Sequence, residues 1–203
     1  MSADTILEYL SGCSHVNRLE FRVCVQCAPV LKGVKASNLV TVAKGSLDIL
    51  RRALDGTEIV CVPLFTGKKT EVLLLYRHRA LETLLKQPEI RGFLESRGYE
   101  KMDVASVLLG IRRAYLAYSS GERAFPHELG VILEYPVPDV IDFIRYRGEN
   151  CLFTGYWKVY HNPEQARKRF RLYDRVKEAA MRQMIDGCPL RLVVETKGDY
   201  GYE

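Results

Sequence analysis

The sequence predicts an α+β fold in a single domain spanning residues 1–203, on three observations. Glu58 to Phe65 and Thr70 to Tyr76 are two runs rich in Val, Ile and Leu joined by Gly67-Lys-Lys, the pattern of a hairpin (58–65/70–76). The middle of the chain instead places Val104, Val107, Leu108, Ile111, Tyr115 and Tyr118 at helical spacing. Strands and helices do not alternate regularly, so a mixed or antiparallel sheet with a helical middle section is expected rather than a doubly wound parallel one.

Each element follows from its local pattern. Ile6 to Leu10 reads as a short amphipathic helix ended by Gly12. Leu19, Phe21, Val23, Val25 and Cys27 then alternate with Glu20, Arg22, Cys24 and Gln26, which predicts a half-buried strand with Cys27 on its apolar face. Pro29 and Gly33 interrupt any period, and Asn38 to Val42 is again extended. Ser46 is placed to cap a helix to Leu54, closed by Asp55-Gly56. After the hairpin, Ala80 to Leu85 and Ile90 to Ser96 read as two short helices. Pro126 and Pro138 suit the first positions of helices through Leu133 and Tyr146, the second stopped by Gly148, because a missing donor costs nothing there. Cys151 to Tyr160 is expected as a strand, with Tyr156, Lys158 and Tyr160 on one face and Trp157 and Val159 on the other. Asn162-Pro163 opens a long helix to about Met184 whose apolar stripe is Ala166, Phe170, Tyr173, Val176, Ala180 and Met184, and Leu190 to Glu195 is a last strand, so that 174–203 holds the end of that helix and a final strand.

Composition bounds the function. The chain has 47% hydrophobic and 27% charged residues and a net charge of +5, which excludes disordered and collagen-like classes. No apolar run approaches the roughly 20 residues that span a bilayer, and no signal-peptide pattern opens the chain, so a cytoplasmic protein without a membrane partner is expected. In that compartment the six cysteines are expected as thiols.

Several signatures are excluded. Thr66-Gly-Lys-Lys-Thr lacks the earlier glycine of a phosphate loop and has Lys69 where the magnesium-binding hydroxyl belongs. His127-Glu128 has no second His one turn on, which rules out a zincin. Cys24-x-x-Cys27 has no partner pair, and on a strand its thiols point to opposite faces, so no metal site is expected. No motif indicates a cofactor or an oligomeric state.

What remains is a set of polar residues. His127 and Glu128 follow Pro126 in a first helical turn, where the macrodipole favours the carboxylate and disfavours the imidazolium, leaving a neutral His suited to base work. Cys27 is the thiol to pair with it, with Lys35 as a cation that would lower its pKa. The structural alternative makes Glu128 a capping acid and His127 a surface or core residue. Gly155-Tyr-Trp-Lys-Val-Tyr160 concentrates aromatic and cationic groups that suit either a core or a ligand surface. The helix after Pro163 carries Arg167, Lys168, Arg169, Arg171, Arg175, Lys177 and Arg182 against Glu164, Asp174 and Glu178, a pattern for an anionic partner or an ordinary solvated face.

Taken together, Cys27-Ala-Pro-Val-Leu-Lys-Gly-Val-Lys35 with Asn38-Leu39, Leu75-Tyr-Arg77, Gly98-Tyr99, Phe125-Pro-His-Glu-Leu-Gly130, Tyr135-Pro136 with Asp139-Val140 and Phe143, and Gly155 to Tyr160 resemble the domain-of-unknown-function 3793 family, found mainly in anaerobic bacteria. The likeness runs from about 19 to 173. Ala36 stands where the family pattern is expected to hold proline, and Glu134 where it is expected to hold glycine. The resemblance implies a cytosolic single-domain protein and brings no activity with it. The expected function is accordingly a thiol-dependent enzyme or ligand-handling domain, with Cys27 as nucleophile, His127 as base or acid and Glu128 as orienting carboxylate. Lys35, Asn38, Arg77, Tyr156 and Lys158 are the expected contacts to a small-molecule ligand. The alternative is a non-catalytic module binding a nucleotide, nucleic acid or acidic protein through the basic C-terminal helix, nucleic acid being the lesser expectation because no nucleic-acid module accompanies the charge.

Overall fold

The computed structural model describes residues 1–195; residues 196–203 lie outside that range. The fold is α+β, as the sequence predicts, with a three-stranded antiparallel sheet, a two-stranded ribbon and ten helices among the described residues. The chain divides into two compact units, Met1–Arg77 with the chain from Leu172, and His78–Arg171. No linker-like composition marks either boundary: the first falls where β3 (Thr70–Arg77) gives way to α4 (His78–Leu85), the second inside α9 (Pro163–Ile185).

In the first unit, α1 (Ala3–Gly12) precedes α2 (His15–Leu31), which occupies the segment expected as a strand. Ser14 supplies the missed start signal, its hydroxyl accepting from the Asn17 N–H at 3.1 Å. Val23, Cys24, Cys27, Ala28, Val30 and Leu31 are all buried, so the C-terminal half of the helix is buried nearly all round, while its first turn, Arg22 and Gln26 are exposed. A run of that kind satisfies a period of two and a period of 3.6 alike, and only its length separates them. Cys24 and Cys27 therefore share the core instead of facing opposite ways. The helix end is held by Arg77, whose guanidinium donates to the carbonyls of Val30 at 2.8 Å and Leu31 at 2.6 Å.

The sheet runs β1 (Ser37–Ala43), β3, β2 (Ile59–Thr66), all antiparallel, with β2 and β3 forming the expected hairpin. Pro63 sits on edge strand β2 beside a register shift, where its missing donor is tolerated. Helix α3 (Ser46–Ala53) starts at the expected cap residue itself: Gly45, at φ 87°, occupies the cap position one residue earlier, Ser46 is buried, and the Glu71 carboxylate accepts the Gly45 N–H. Helix α10 (Leu190–Glu195) replaces the expected last strand, because Leu190, Val193 and Val194 are buried at helical spacing and the N–H groups of Leu192 and Val193 bond back to the Pro189 carbonyl. Lys32 donates to the Val193 carbonyl at 2.5 Å and to Gln183 at 2.6 Å, tying α2 to the C-terminal helices.

In the second unit, α4, α5 (Pro88–Ser96) and α6 (Val104–Ser119) form as read, α6 capped by Asp103. Helix α7 (Glu128–Ile132) begins two residues after Pro126, and α8 (Val137–Arg145) carries Pro138 at its second position. The expected strand 151–160 is instead two dipeptide strands, β4 (Phe153–Thr154) and β5 (Lys158–Val159), pairing across the turn Gly155-Tyr-Trp, so the two-faced arrangement of residues 156–160 does not form. The close approach of Phe170 requires glycine in that turn, since a Cβ on Gly155 would lie 2.1 Å from its ring.

Candidate functional site

The expected site residues fall into two groups, one in each unit. Cys27, Lys35, Asn38 and Arg77 belong to the first. The Cys27 side chain is wholly buried, its Sγ lies 4.0 Å from the Leu39 carbonyl, and burial pushes the thiol far above its ordinary value, with Lys35 only partly opposing the shift. Cys24 and Cys61 are likewise buried and pushed up to about 12. A thiolate nucleophile needs the opposite environment, exposed and electropositive. Asn38 donates to the Gln26 carbonyl at 3.2 Å, and Arg77 also pairs with Glu58, so both join backbone segments within the unit.

His127, Glu128, Tyr156 and Lys158 belong to the second unit. The His127 ring lies between Phe125 and Phe143, with centroids 5.6 and 5.5 Å away. Burial, reinforced by the nearby Arg97 charge and opposed by Glu128, lowers its pKa, and the ring stands at the cap of α7 and not inside its first turn. Glu128 is buried and accepts from Tyr99 Oη and the Arg123 guanidinium, each at 3.2 Å. Burial and the Glu128 charge together push the Tyr99 hydroxyl up, which keeps it a donor. Lys158 donates to the Gly148 carbonyl at 2.6 Å and stands 6.0 Å from the Phe143 ring, which thus faces both His127 and Lys158. Tyr156 packs 5.4 Å from Phe170.

Asp139 and His161 were not expected at the site. Asp139, in the first turn of α8, is buried and accepts three hydrogen bonds: from Trp157 Nε1 at 2.7 Å, Tyr160 N at 3.0 Å and His161 N at 2.8 Å. This one carboxylate fixes the end of the β4–β5 ribbon, and with it the indole. His161 Nε2 is 2.8 Å from Asp142 Oδ2. Phe170 closes edge-on against Trp157 at 4.5 Å, and Tyr135 stacks on it at 5.5 Å.

Beside this aromatic group lies a cavity of about 410 Å³, within the size range of small-molecule sites. Its apolar wall comes from Leu84, Ile90, Val137 and Trp157, and Arg169, His161, Asn162 and Gln165 contribute polar lining. Two lining residues adopt the left-handed conformation, Glu134 at φ 58° and Asn162 at φ 47°. Asparagine tolerates it; glutamate does so at a cost, which gives a backbone reason for expecting glycine at 134. Arg169 is half-buried and donates to the Glu134 carbonyl at 3.4 Å. It has no ion pair among the described residues. A signal for it exists in the sequence, since residue 169 stands three positions after Ala166 and four before Tyr173, on the margin of the apolar stripe of α9.

No helix among the described residues is long and apolar enough to cross a membrane, and no group of three or more His, Cys, Asp or Glu among them could hold a metal ion. No curated protein and no solved structure matches the chain. The family model described as a protein of unknown function, DUF3793, matches residues 23–194, and the Pro-His-Glu-Leu-Gly and Gly-Tyr-Trp-Lys-Val-Tyr blocks that build the second unit lie inside that span, so the chain belongs to the DUF3793 family.

Proposed function

We propose that the second unit is a ligand-binding module whose cavity takes a small molecule with an anionic group against Arg169 and an apolar or planar body against the wall that includes Trp157. The observation that carries this reading is Arg169 itself. A guanidinium withdrawn from solvent is ordinarily paired, and its planar fork matches a carboxylate or phosphate. Here it lines a cavity without a carboxylate partner among the described residues. Thiol catalysis is the weaker reading, because Cys27 is a core thiol that burial keeps protonated. The basic face of α9 supports an anionic macromolecule less well, since Lys177 and Arg182 already meet Asp174 and Glu178, and Arg167 lies 4.2 Å from the Phe153 ring.

Trp157 is the single tryptophan of the chain and lines the cavity, so its fluorescence reports occupancy directly. Titration with small carboxylates and phosphates is expected to give a saturable change that Arg169→Gln weakens at least about tenfold, the scale of a charge-assisted hydrogen bond. A saturable change that Arg169→Gln leaves intact, or none with any anion, would overturn the proposal.

A further inference from the structure

From the charges around this cavity we infer that the ligand is a zwitterion, a primary amine-bearing carboxylic acid with an apolar or aromatic side chain. The inference rests on the binding reading above and narrows it. Arg169 is the sole Lys or Arg among the lining residues, whereas Glu89 and Glu134 both line the same space. Of the other titratable lining groups, His161 is held by Asp142 at 2.8 Å and Tyr135 stacks on Trp157. A phosphate dianion would meet the one cation together with the Glu89 carboxylate, which opposes it. An amino acid offers a matching charge to each: its carboxylate suits the Arg169 fork, and its ammonium suits Glu89, exposed in the first turn of α5. Leu84, Ile90 and Val137 supply apolar surface for a branched or aromatic side chain. The volume exceeds that of one amino acid, so an amino acid or a short peptide bearing both termini fits the same description.

The test uses the full chain and Trp157 emission, with L-leucine and L-phenylalanine as probes. N-acetyl-L-leucine, 4-methylpentanoate, leucinamide and inorganic phosphate serve as comparisons. The free amino acids are expected to bind saturably, and each derivative lacking one charge at least about tenfold more weakly, because it gives up the contact with Arg169 or with Glu89. Glu89→Gln is expected to narrow the gap between leucine and N-acetyl-leucine at least about threefold, and Arg169→Gln to weaken all carboxylates. Thermal melts of both variants confirm that they remain folded. If N-acetyl-leucine or 4-methylpentanoate binds as tightly as leucine, or phosphate binds where leucine does not, the zwitterion inference falls and the anion-binding cavity stands. If no probe in the set gives a saturable change, both fall.

Discussion

Asp139→Asn tests whether one buried carboxylate holds the wall of the cavity. The side chain keeps its shape but loses its charge and exchanges an acceptor for a donor. If the amide oxygen keeps the two backbone donors, Tyr160 N and His161 N, then the amide nitrogen faces the indole N–H that now stands 2.7 Å from Asp139 Oδ2, donor against donor. The loss of one charge-assisted bond at a buried site costs about 1.5–3 kcal/mol. Removing a negative charge from the first turn of α8 adds about 0.3–1 kcal/mol, so the sum is about 2–4 kcal/mol. For a chain of this length each kcal/mol moves Tm by about 2–4 °C, which predicts a fall of about 4–16 °C. Thermal melts followed by circular dichroism read that shift, and Trp157 emission should move as the indole loses its partner. A double-mutant cycle with Trp157→Phe isolates the bond: Asp139→Asn should cost at least about 1 kcal/mol less when no indole N–H is present. A Tm fall below about 2 °C with unchanged emission, or additive single and double variants, would refute the account of Asp139 as the anchor.

Gly155→Ala places a Cβ 2.1 Å from a Phe170 ring that is itself packed against Trp157 and Phe153, so a loss of about 1–3 kcal/mol from overpacking is expected, and a wild-type Tm would contradict it. Thiol mapping by alkylation and mass spectrometry should label the half-buried Cys13, Cys151 and Cys188 in the native protein, and Cys24, Cys27 and Cys61 only on unfolding; native labelling of Cys27 at the rate of Cys151 would restore the thiol reading. His127 has a folded pKa below its ordinary 6.5, so as pH falls past that value the unfolded chain takes up the proton first and stability declines until the folded pKa is passed. Tm measured between pH 7.5 and 5 should therefore drop further in the wild type than in His127→Gln, and equal slopes would contradict the burial of a neutral ring.

The elements that could be read from the sequence are those whose pattern admits one interpretation. The hairpin combines two β-rich runs with a short polar turn, and α6 and α9 carry stripes too long for a strand. Helix α2 was misread because Leu19 to Cys27 is apolar enough to fit either period, and the cap at Ser14 lay outside the alternating window. Residues 151–160 failed for a different reason: the strand propensity of Trp157, Val159 and Tyr160 is real, but Phe170 needs the space at Gly155 and turns the chain there. At the site, the sequence singles out His127 and Glu128 but not what lowers the His127 pKa, since burial and the Arg97 charge come from the fold. Asp139 is not expected there, because an acid after Pro138 in a first helical turn reads as a surface residue, and only the fold brings three donors onto it.

Glu134 joins backbone strain to the cavity. A non-glycine residue in the left-handed region costs about 1–2 kcal/mol, and here it ends α7, with its N–H bonded to the Val131 carbonyl and that of Tyr135 to Gly130. Glycine would relieve this cost and close the helix equally well. It would also remove a carboxylate from the lining of the cavity and leave the carbonyl that Arg169 bonds on a freer backbone. Strain of this size persists where the surroundings over-determine a residue, and such places cluster at ligand sites. Position 134 fits that description: the turn it closes includes Gly130, where an added Cβ would lie 3.0 Å from Val140, and Glu134 lines the cavity proposed to hold the ligand.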